Sequence, residues 1–297
     1  MTKAGLQGIH AALMSGFGDD GSFDPQRQRN IVAYVTRQKI DGLYVGGSSA
    51  ESPLMSPAEL AQQLEIVAEA ARGKTLIAHV GQPNTRDSVM LARRARAYGY
   101  QALSALPPTS FAYSVEAIAD HYKAVAQAGE LPLIIYEFPF RTGRATPYEQ
   151  LEILLSVEGV IGMKFTSPDL FLLRRVQKRF PDKLFYFGID EMFAAAALLG
   201  ADGGIGTTYN LIGGLYAEIA DAIAASDVAE ARRLQRLSQD LVDHLLKVGV
   251  FAGMKHLMQK SGIDCGPCRL PLSLGPAEHV QAMERWFAEG HLKDFIV

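Results

Sequence analysis

Eight short apolar runs recur along the chain, and this repetition is the feature that most restricts how it can fold. Most runs are four to seven residues long and nearly continuous in apolar side chains. Such runs are typical of parallel strands that are buried on both faces. The last run is mostly glycine and is assigned from its place in the series. We predict strands at Gly8–Met14, Asp41–Val45, Thr75–Val80, Ala102–Leu106, Leu131–Glu137, Val160–Phe165, Lys183–Phe187 and Gly203–Gly206.

Stretches with the 3.6-residue period of a helix separate these runs. Between residues 57 and 71, Leu60, Leu64 and Val67 form one apolar stripe, and Ser56 before a proline is a favourable helix start. The same reasoning predicts helices at Pro147–Leu155, Asp169–Lys178, Ala229–Val248, Phe251–Gln259 and Pro276–Ala288.

The number and spacing of these units predict the fold class. Eight strand–helix units within about 225 residues favour an α/β fold of the (β/α)8 TIM-barrel type. A doubly wound sheet is the main alternative, but no change in composition divides the chain into halves. After Asp227 only helical patterns remain. We therefore expect a catalytic barrel over residues 1–225 and a C-terminal helical extension over 226–297 that packs on the barrel.

Composition excludes several classes of partner. The net charge is −3, so nucleic acid and anionic membrane surfaces are poor candidates. No apolar run approaches the ~20 residues that a membrane span needs. Two cysteines are too few for a disulfide scaffold and fit a reducing compartment. With no convincing signal peptide, we expect a cytoplasmic protein.

Some motifs resemble chemistry that their context does not support. Cys265-Gly266-Pro267-Cys268 has the spacing of a redox motif, but it lies in a predicted loop between helices, so two free thiols are expected. His10 and His79 lie within strand runs and are expected to be hydrogen-bonded core side chains. The seven histidines show no metal-binding spacing, and neither a GxSxG elbow nor a phosphate-binding P-loop is present.

Barrel enzymes carry their function at the C-terminal ends of the strands, so the candidate residues are those that end each run or come directly after it. After the second run, Gly47, Ser48 and Ser49 offer backbone N–H groups and hydroxyls to an anion such as a carboxylate. A plain Gly/Ser turn that starts the next helix is the alternative. Tyr136 is the next-to-last residue of the fifth run; a buried tyrosine there packs with a bonded hydroxyl or takes part in the chemistry.

Lys164, at the end of the sixth run, is the sharpest candidate. Its neighbours Met163 and Phe165 are apolar. Desolvation disfavours a lysine's ammonium form and leaves a neutral amine that can attack a ketone. A side chain that reaches out to solvent is the alternative.

Two more turns complete the predicted site. Asp190 and Glu191 come after Gly188 and the seventh run, where they cap a helix or contact a ligand. Gly206 ends the eighth run and Thr207 follows it, and glycine there admits a ligand close to the backbone.

Together these residues resemble the N-acetylneuraminate lyase / dihydrodipicolinate synthase family of class I aldolases, with the closer similarity to the lyase branch. The resemblance covers nearly the whole chain. It rests on the stretches Asp41–Ser49, Leu76–Gly81, Tyr136–Pro139, Gly162–Thr166 and Gly200–Asn210.

The resemblance implies a mechanism. Lys164 forms a Schiff base with the C2 ketone of a 2-oxo acid, and the C3–C4 bond breaks or forms with pyruvate as the enamine. Tyr136 moves protons, with Ser49 in its relay, and Ser48, Ser49 and nearby backbone N–H groups hold the carboxylate. No cofactor or metal is needed. The remaining substrate-binding residues implied are Gly47, Thr166, Gly188, Asp190, Glu191, Gly206 and Thr207.

The sequence also departs from the family pattern. The family has a tyrosine pair after the fourth strand, where this chain has Pro107–Phe111 with Ser110 at the position of the relay tyrosine. The lyase branch has threonine where Ser49 stands. Arg141 resembles the synthase branch, in which arginine binds a second carboxylate; a solvated loop arginine is the alternative.

The predicted function is therefore a Schiff-base lyase that cleaves a 2-oxo acid such as N-acetylneuraminate and releases pyruvate. Dihydrodipicolinate synthase, which joins pyruvate with aspartate semialdehyde, and a 2-keto-3-deoxy sugar acid aldolase or dehydratase are alternatives. A non-catalytic barrel that binds 2-oxo acids is a further one. The resemblance also implies a homotetramer.

Overall fold

Eight parallel strands close into a barrel, in the computed structural model, which describes residues 5–297. Each strand pairs with its neighbours in sequence, and the first pairs with the eighth. This confirms the predicted TIM barrel. The strands are β1 Gly8–Ala12, β2 Gly42–Val45, β3 Thr75–His79, β4 Ala102–Ala105, β5 Leu133–Glu137, β6 Val160–Phe165, β7 Leu184–Phe187 and β8 Gly203–Gly206.

Helices surround the barrel and continue beyond it. The long helix after β2 begins as its sequence indicates, because Ser56 and Glu59 form a reciprocal capping box. The helices are α1 Pro25–Val35, α2 Pro57–Ala70, α3 Thr85–Ala97, α4 Val115–Gly129, α5 Pro139–Thr142, α6 Tyr148–Leu155, α7 Leu170–Arg179, α8 Phe193–Leu198, α9 Tyr209–Ala224, α10 Val228–Val248, α11 Val250–Lys260 and α12 Ala277–Ala288. Every strand and helix predicted from the sequence is present, and most bounds differ by one or two residues.

The apolar core has two layers, as expected of strands buried on both faces. A large layer fills the space between strands and helices. A small layer fills the barrel interior and includes Tyr44, Ile134, Tyr186 and Ile205. Because side chains alternate along a strand, Ile134 and Tyr136 of β5 face the same side. The interior layer therefore continues toward the C-terminal ends of the strands, where the predicted functional side chains lie.

The C-terminal helices pack against the barrel rather than standing apart. Helix α10 contacts α9 and the short 3₁₀ turn Asp190–Met192 that comes after β7, and α11 contacts α10. This contact brings part of the extension to the end of the barrel where the strands terminate. The domain boundary between residues 225 and 226 stays a prediction.

Candidate active site

A cavity of about 430 Å³ opens at the C-terminal ends of the strands. Most of the predicted site residues line it. From the sequence-based set these are Ser48, Ser49, Tyr136, Lys164, Thr166, Gly188, Asp190, Glu191 and Thr207. Gly47, Arg141 and Gly206, also predicted, lie beside the cavity rather than on its wall.

Lys164 lies at the bottom of this cavity and is 5% exposed. Its ammonium lies 4.4 Å from the ring centroid of Tyr136 and 4.5 Å from that of Tyr44. No Asp or Glu of residues 5–297 has a carboxylate oxygen within 4.0 Å of it. The side chain does not reach solvent outside the barrel, so the snorkelling alternative is wrong. A lysine held by aromatic faces and open to a cavity is arranged for attack on a bound carbonyl.

Tyr136 stands on β5 directly opposite Lys164 on β6. It is 3% exposed, and Phe138 stacks on its ring with a centroid distance of 5.6 Å. Its hydroxyl forms no hydrogen bond with the described residues. By contrast, the Tyr44 hydroxyl donates to Ser104 Oγ at 2.9 Å. Tyr136 is therefore the tyrosine beside Lys164 whose hydroxyl remains available to a substrate.

The turn after β2 takes a short 3₁₀ conformation over Ser48–Ala50. Ser49 Oγ lies 2.7 Å from Thr207 Oγ1, a hydrogen bond that joins this turn to the end of β8. The predicted relay from Tyr136 to Ser49 is thus not formed as a direct bond. Gly47 leaves no room for a side chain, since a Cβ atom there would lie 2.6 Å from the Tyr44 ring.

Arg141 extends from α5 to Ser48, where its Nη1 donates to Ser48 Oγ at 2.5 Å. Burial lowers the pKa of the guanidinium, and electrostatic interaction with Tyr136 and Tyr44 opposes that shift. Within the described chain no carboxylate lies within 4.0 Å of it. The alternative of a solvated loop arginine is therefore wrong. A partly buried guanidinium without an anionic partner is suited to bind a carboxylate ligand.

Thr166 and Gly188 shape the wall beside Lys164. Thr166 is 6% exposed, and its Oγ1 is buried without a hydrogen-bond partner among residues 5–297. A Cβ atom at Gly188 would lie 2.0 Å from Thr166 Oγ1 and 3.0 Å from Lys164 Cε, so glycine is required there. A buried hydroxyl without a partner is costly, which indicates that a ligand completes its hydrogen bond.

Asp190 is buried and hydrogen-bonded at the start of α9. Its Oδ2 accepts from the backbone N–H of Thr208 at 2.9 Å and from Thr208 Oγ1 at 2.7 Å. Burial raises its pKa to about 6, although the two Thr208 bonds oppose this shift. Its side chain thus joins the turn after β7 to α9, and it does not cap α8. A Cβ atom at Gly206 would lie 2.2 Å from Asp190 Oδ1, which explains the glycine.

Histidines predicted to be core residues are indeed buried. His79 Nδ1 lies 3.0 Å from the Gly46 carbonyl, and its Nε2 lies 3.2 Å from the Leu106 nitrogen, which donates to it. Burial lowers its pKa to about 3. The same cause lowers the pKa of His10 to about 4. Both imidazoles are therefore neutral near pH 7. No group of three His, Cys, Asp or Glu side chains among residues 5–297 could hold a metal ion.

The Cys265-x-x-Cys268 motif lies between α11 and α12, and both cysteines are free. Burial raises the pKa of the Cys265 thiol to about 11 and that of the Cys268 thiol to about 12. Thiols that stay protonated are poor nucleophiles, so this setting does not favour redox catalysis. Over the same residues 5–297, no helix combines the length and apolar character of a membrane span.

Sequence reasoning missed one wall of the cavity. Val242 and Leu246 of α10 and Val250 and Phe251 of α11 line it, together with Phe138, Phe140, Ile189, Ile205 and Thr208. The helices of the extension carry no sequence motif, and only their position over the barrel shows that they line the cavity. The contact of Tyr44 with Lys164 was missed as well, although strand alternation along β2 offered a signal.

The loop that departs from the family pattern lies next to a different cavity. Pro107, Pro108, Thr109, Ser110 and Phe111 line a space of about 380 Å³ that shares only Tyr136 with the first cavity. Phe111 is 76% exposed. Within this chain, Ser110 therefore does not reach the cavity that holds Lys164.

Comparisons with known proteins agree with this geometry. Residues 5–288 match the sequence profile of the Dihydrodipicolinate synthetase family. The chain is 45% identical to the N-acetylneuraminate lyase of Rhizobium meliloti, over 90% of this chain and 89% of that protein. It is 42% identical to the N-acetylneuraminate lyase of Salmonella agona, over 96% of each.

Solved structures show the same similarity. The CdNal structure from Clostridium difficile in complex with mannosamine superposes with a TM-score of 0.92 at 33% identity, covering 96% of this chain and 99% of that one. A catalytic lysine mutant of the Ruminococcus gnavus sialic acid aldolase gives a TM-score of 0.93 at 27% identity, with full coverage of both chains (100%).

Proposed function

Because the chain belongs to the Dihydrodipicolinate synthetase family, we propose that it is a class I carbon–carbon lyase of the N-acetylneuraminate lyase type. It cleaves a 2-oxo acid such as N-acetylneuraminate and releases pyruvate. The observation that carries this proposal is the position of Lys164, which is buried at the bottom of a cavity, lies between two tyrosine rings and has no anionic partner among the described residues.

The proposed reaction begins with the attack of the Lys164 amine on the substrate's ketone. The Lys164 amine, once deprotonated, adds to the C2 ketone, and the carbinolamine takes up a proton and loses water to give a protonated imine. The C4 hydroxyl gives up its proton, the C3–C4 bond breaks, and its electron pair flows into the imine to form the enamine of pyruvate. An aldehyde leaves. The enamine is then protonated at C3, and hydrolysis frees pyruvate and restores Lys164. The iminium is the electron sink, so no cofactor is required.

Tyr136 is the group that moves protons in this sequence of steps. Its ring lies over the Lys164 ammonium, and its hydroxyl makes no hydrogen bond within the described chain. It is therefore free to give its proton to the carbinolamine hydroxyl that leaves as water, and the resulting phenolate then takes the proton of the substrate's C4 hydroxyl and returns it to C3 of the enamine. Ser49, bonded to Thr207, supports the relay by holding the turn against β8 rather than by a direct bond to Tyr136.

The carboxylate of the 2-oxo acid binds at the turn after β2. Ser48 and Ser49 line the cavity there, and Gly47 lets the backbone approach. Hydroxyls and the N–H groups of such a turn suit a carboxylate because they donate hydrogen bonds without adding negative charge. The Arg141 guanidinium beside Ser48 adds positive charge, which the global net charge of −3 does not supply.

The remainder of the substrate lies against the ends of β6, β7 and β8. Thr166 offers its unpartnered hydroxyl, and Glu191 offers a carboxylate to the hydroxyls of a sugar chain. Thr207 lines the cavity at the end of β8. Gly188 and Gly206 keep the wall open, and Asp190 fixes its shape through Thr208.

Arg141 favours a second candidate function within the same chemistry. Its guanidinium is partly buried and has no carboxylate partner within the described chain, so a substrate with a second acid group would satisfy it. The reaction it favours is condensation of pyruvate with aspartate semialdehyde, as in dihydrodipicolinate synthase, whereas a 2-keto-3-deoxy sugar acid aldolase or dehydratase is an alternative that Arg141 does not favour.

Two assays on the purified protein test these proposals. Pyruvate release from N-acetylneuraminate is measured beside the condensation of pyruvate with aspartate semialdehyde. Release in the first assay is the expected result, and activity in the second alone would overturn the lyase assignment. Borohydride with pyruvate should leave an adduct on Lys164, located by mass spectrometry. Absence of the adduct would eliminate every Schiff-base mechanism and favour a binding barrel.

We also propose that the enzyme works as a cytoplasmic homotetramer with a small-molecule 2-oxo acid as its partner. The resemblance to the lyase and synthase family supports the assembly, and the low cysteine count supports a reducing compartment. Size-exclusion chromatography with light scattering measures the assembly directly.

A further inference from the structure

A buried ion pair lies directly behind the turn that carries Ser48 and Ser49. Glu51 comes directly after this turn, and its side chain is 0% exposed. Its Oε1 lies 2.8 Å from Nζ of Lys255, which is 3% exposed and belongs to α11 of the C-terminal extension. Neither residue lines the cavity, so the pair cannot touch the substrate. It nevertheless links the extension to the turn on which the proposed carboxylate site depends.

The backbone at Glu51 is strained in a way that needs support. Glu51 has φ 60° and ψ 30°, the left-handed conformation that residues with a side chain rarely adopt. Such a conformation persists only where the surroundings hold it, and it is concentrated at functional sites. The strained residue ends the Ser48–Ala50 turn, so it sets the direction in which that turn enters the cavity.

The extension supplies the support through two residues. Besides the ion pair with Lys255, the carboxylate accepts from the backbone N–H of Arg269, with a distance of 2.8 Å to Oε2. The Arg269 guanidinium continues the contact, since its Nη1 donates to the Leu54 carbonyl at 2.6 Å and it pairs with Glu59 in the first turn of α2. The segment from Glu51 to Glu59 is thus fastened at both ends by the extension.

The opposite side of the turn is held by the barrel itself. Ser15 Oγ donates to the Ala50 carbonyl at 2.7 Å, and Gln63 Nε2 donates to Ser15 Oγ at 2.7 Å. All three residues are buried. The Ser48–Ala50 turn is therefore held on one side by the hydrogen bonds of Ser15 and Gln63 and on the other side by the Glu51–Lys255 pair.

From this arrangement we propose that the Glu51–Lys255 ion pair is a positioning device for the carboxylate site, so that the C-terminal extension sets the affinity of the active site for its 2-oxo acid. This inference rests on the proposed Schiff-base function. Opposite charges 2.8 Å apart in a buried setting attract each other strongly, and this attraction makes the pair suited to hold the turn in one orientation. Loss of the pair weakens substrate binding while Lys164 and Tyr136 keep their places.

The test measures the pyruvate concentration that half-saturates borohydride trapping on Lys164. We expect it to rise about tenfold in Lys255→Met and in Glu51→Gln, because the attraction between two buried charges behind the site is lost. The extent of trapping at saturating pyruvate should stay within about threefold of wild type. Glu51→Gln keeps an acceptor for the Arg269 N–H and nearly the same shape, so it makes the smallest change in packing.

Lys183→Met is the matched control. Lys183 Nζ donates to the Val160 carbonyl at the opposite end of the barrel, so this variant loses a lysine without disturbing the turn. Its half-saturating concentration should equal that of wild type, whatever its melting temperature.

The double variant Glu51→Gln with Lys255→Met separates positioning from folding. Removing both charges leaves no unpaired charge in the interior, so its melting temperature should recover relative to Lys255→Met. Its half-saturating concentration should remain raised. The inference would be overturned if the melting temperature and the half-saturating concentration both recovered in the double variant, or if the half-saturating concentration did not change in the single variants. In either case, trapping in wild type would still support the proposed function. No adduct in wild type would overturn both.

Discussion

The Lys164 ammonium lies 4.4 Å from the centroid of the Tyr136 ring, and a bulge between β5 and β6 is what places the two residues opposite each other. Leu133 pairs with Val160, but Ile134 pairs with Gly162, so Ile161 is the extra residue. If the pairing continued from Leu133–Val160 without this shift, Tyr136 would face Met163, and the alternation of the strand would turn Lys164 away from it. The shift in register thus aligns the nucleophile with the group that moves protons.

Replacing Lys164 with alanine should abolish borohydride trapping and lower pyruvate release at least about 10³-fold, because among residues 5–297 no other lysine lines the cavity. The measurement is mass spectrometry of the trapped protein together with a coupled pyruvate assay. Lys183→Ala is the control. Lys183 bonds to the Val160 carbonyl at the opposite end of the barrel, so this variant should trap pyruvate as wild type does. Trapping that persists in Lys164→Ala would place the nucleophile elsewhere.

Replacing Tyr136 with phenylalanine should separate imine formation from bond cleavage. The ring keeps its contact with Lys164 and its stacking on Phe138, so pyruvate should still be trapped. Loss of the hydroxyl should lower kcat by about 10²- to 10⁴-fold, the usual contribution of a positioned acid–base group. Steady-state kinetics and trapping on the same preparation check this. A kcat close to that of wild type would remove Tyr136 from the mechanism.

Asp190 should make the stability of the protein depend on pH in a predictable direction. Burial raises its pKa to about 6 from an ordinary value of 3.8. Between these two pH values the folded state keeps a proton that the unfolded state has released. The stabilisation that results from the raised pKa is therefore fully present below the ordinary pKa and is lost as pH rises through about 6. Asp190→Asn should abolish the loss while its oxygen still accepts from Thr208.

Between about pH 4.5 and about pH 7.5, the free energy of unfolding of Asp190→Asn should gain on that of wild type by on the order of 2 kcal/mol. Chemical denaturation at the two pH values measures this difference. The exposed Asp182→Asn variant is the control and should show the same difference from wild type at both. A constant difference for Asp190→Asn would show that its carboxyl titrates normally.

Arg141 should decide between substrates with one and with two carboxylates. Replacing it with leucine should lower kcat/KM for the condensation with aspartate semialdehyde about 10- to 100-fold, because a charge-assisted contact is lost. Pyruvate release from N-acetylneuraminate should fall less, because that substrate has one carboxylate and loses only the positive charge beside Ser48. The exposed Arg144→Leu variant, three residues away, controls for a general loss of positive charge. Equal losses on both substrates in Arg141→Leu would assign its role to the pyruvate carboxylate.

The barrel and the reactive side chains at its end can be predicted from the amino-acid sequence alone. Eight buried apolar runs at the spacing of strand–helix units specify parallel strands, and the residue that ends each run must lie at one end of a closed barrel. Lys164, Tyr136 and the Ser48–Ser49 turn are predicted by that rule, since their placement depends only on local sequence and strand order.

How those residues are held depends on the packing of the folded chain. The Ser49–Thr207 bond, the Arg141–Ser48 bond and the wall from α10 and α11 join segments far apart in the chain. So does the Glu51–Lys255 pair, which joins residues 204 positions apart by sequence number (255 − 51). No local periodicity encodes such contacts, because they depend on how whole elements pack and on which buried polar groups find partners in that packing.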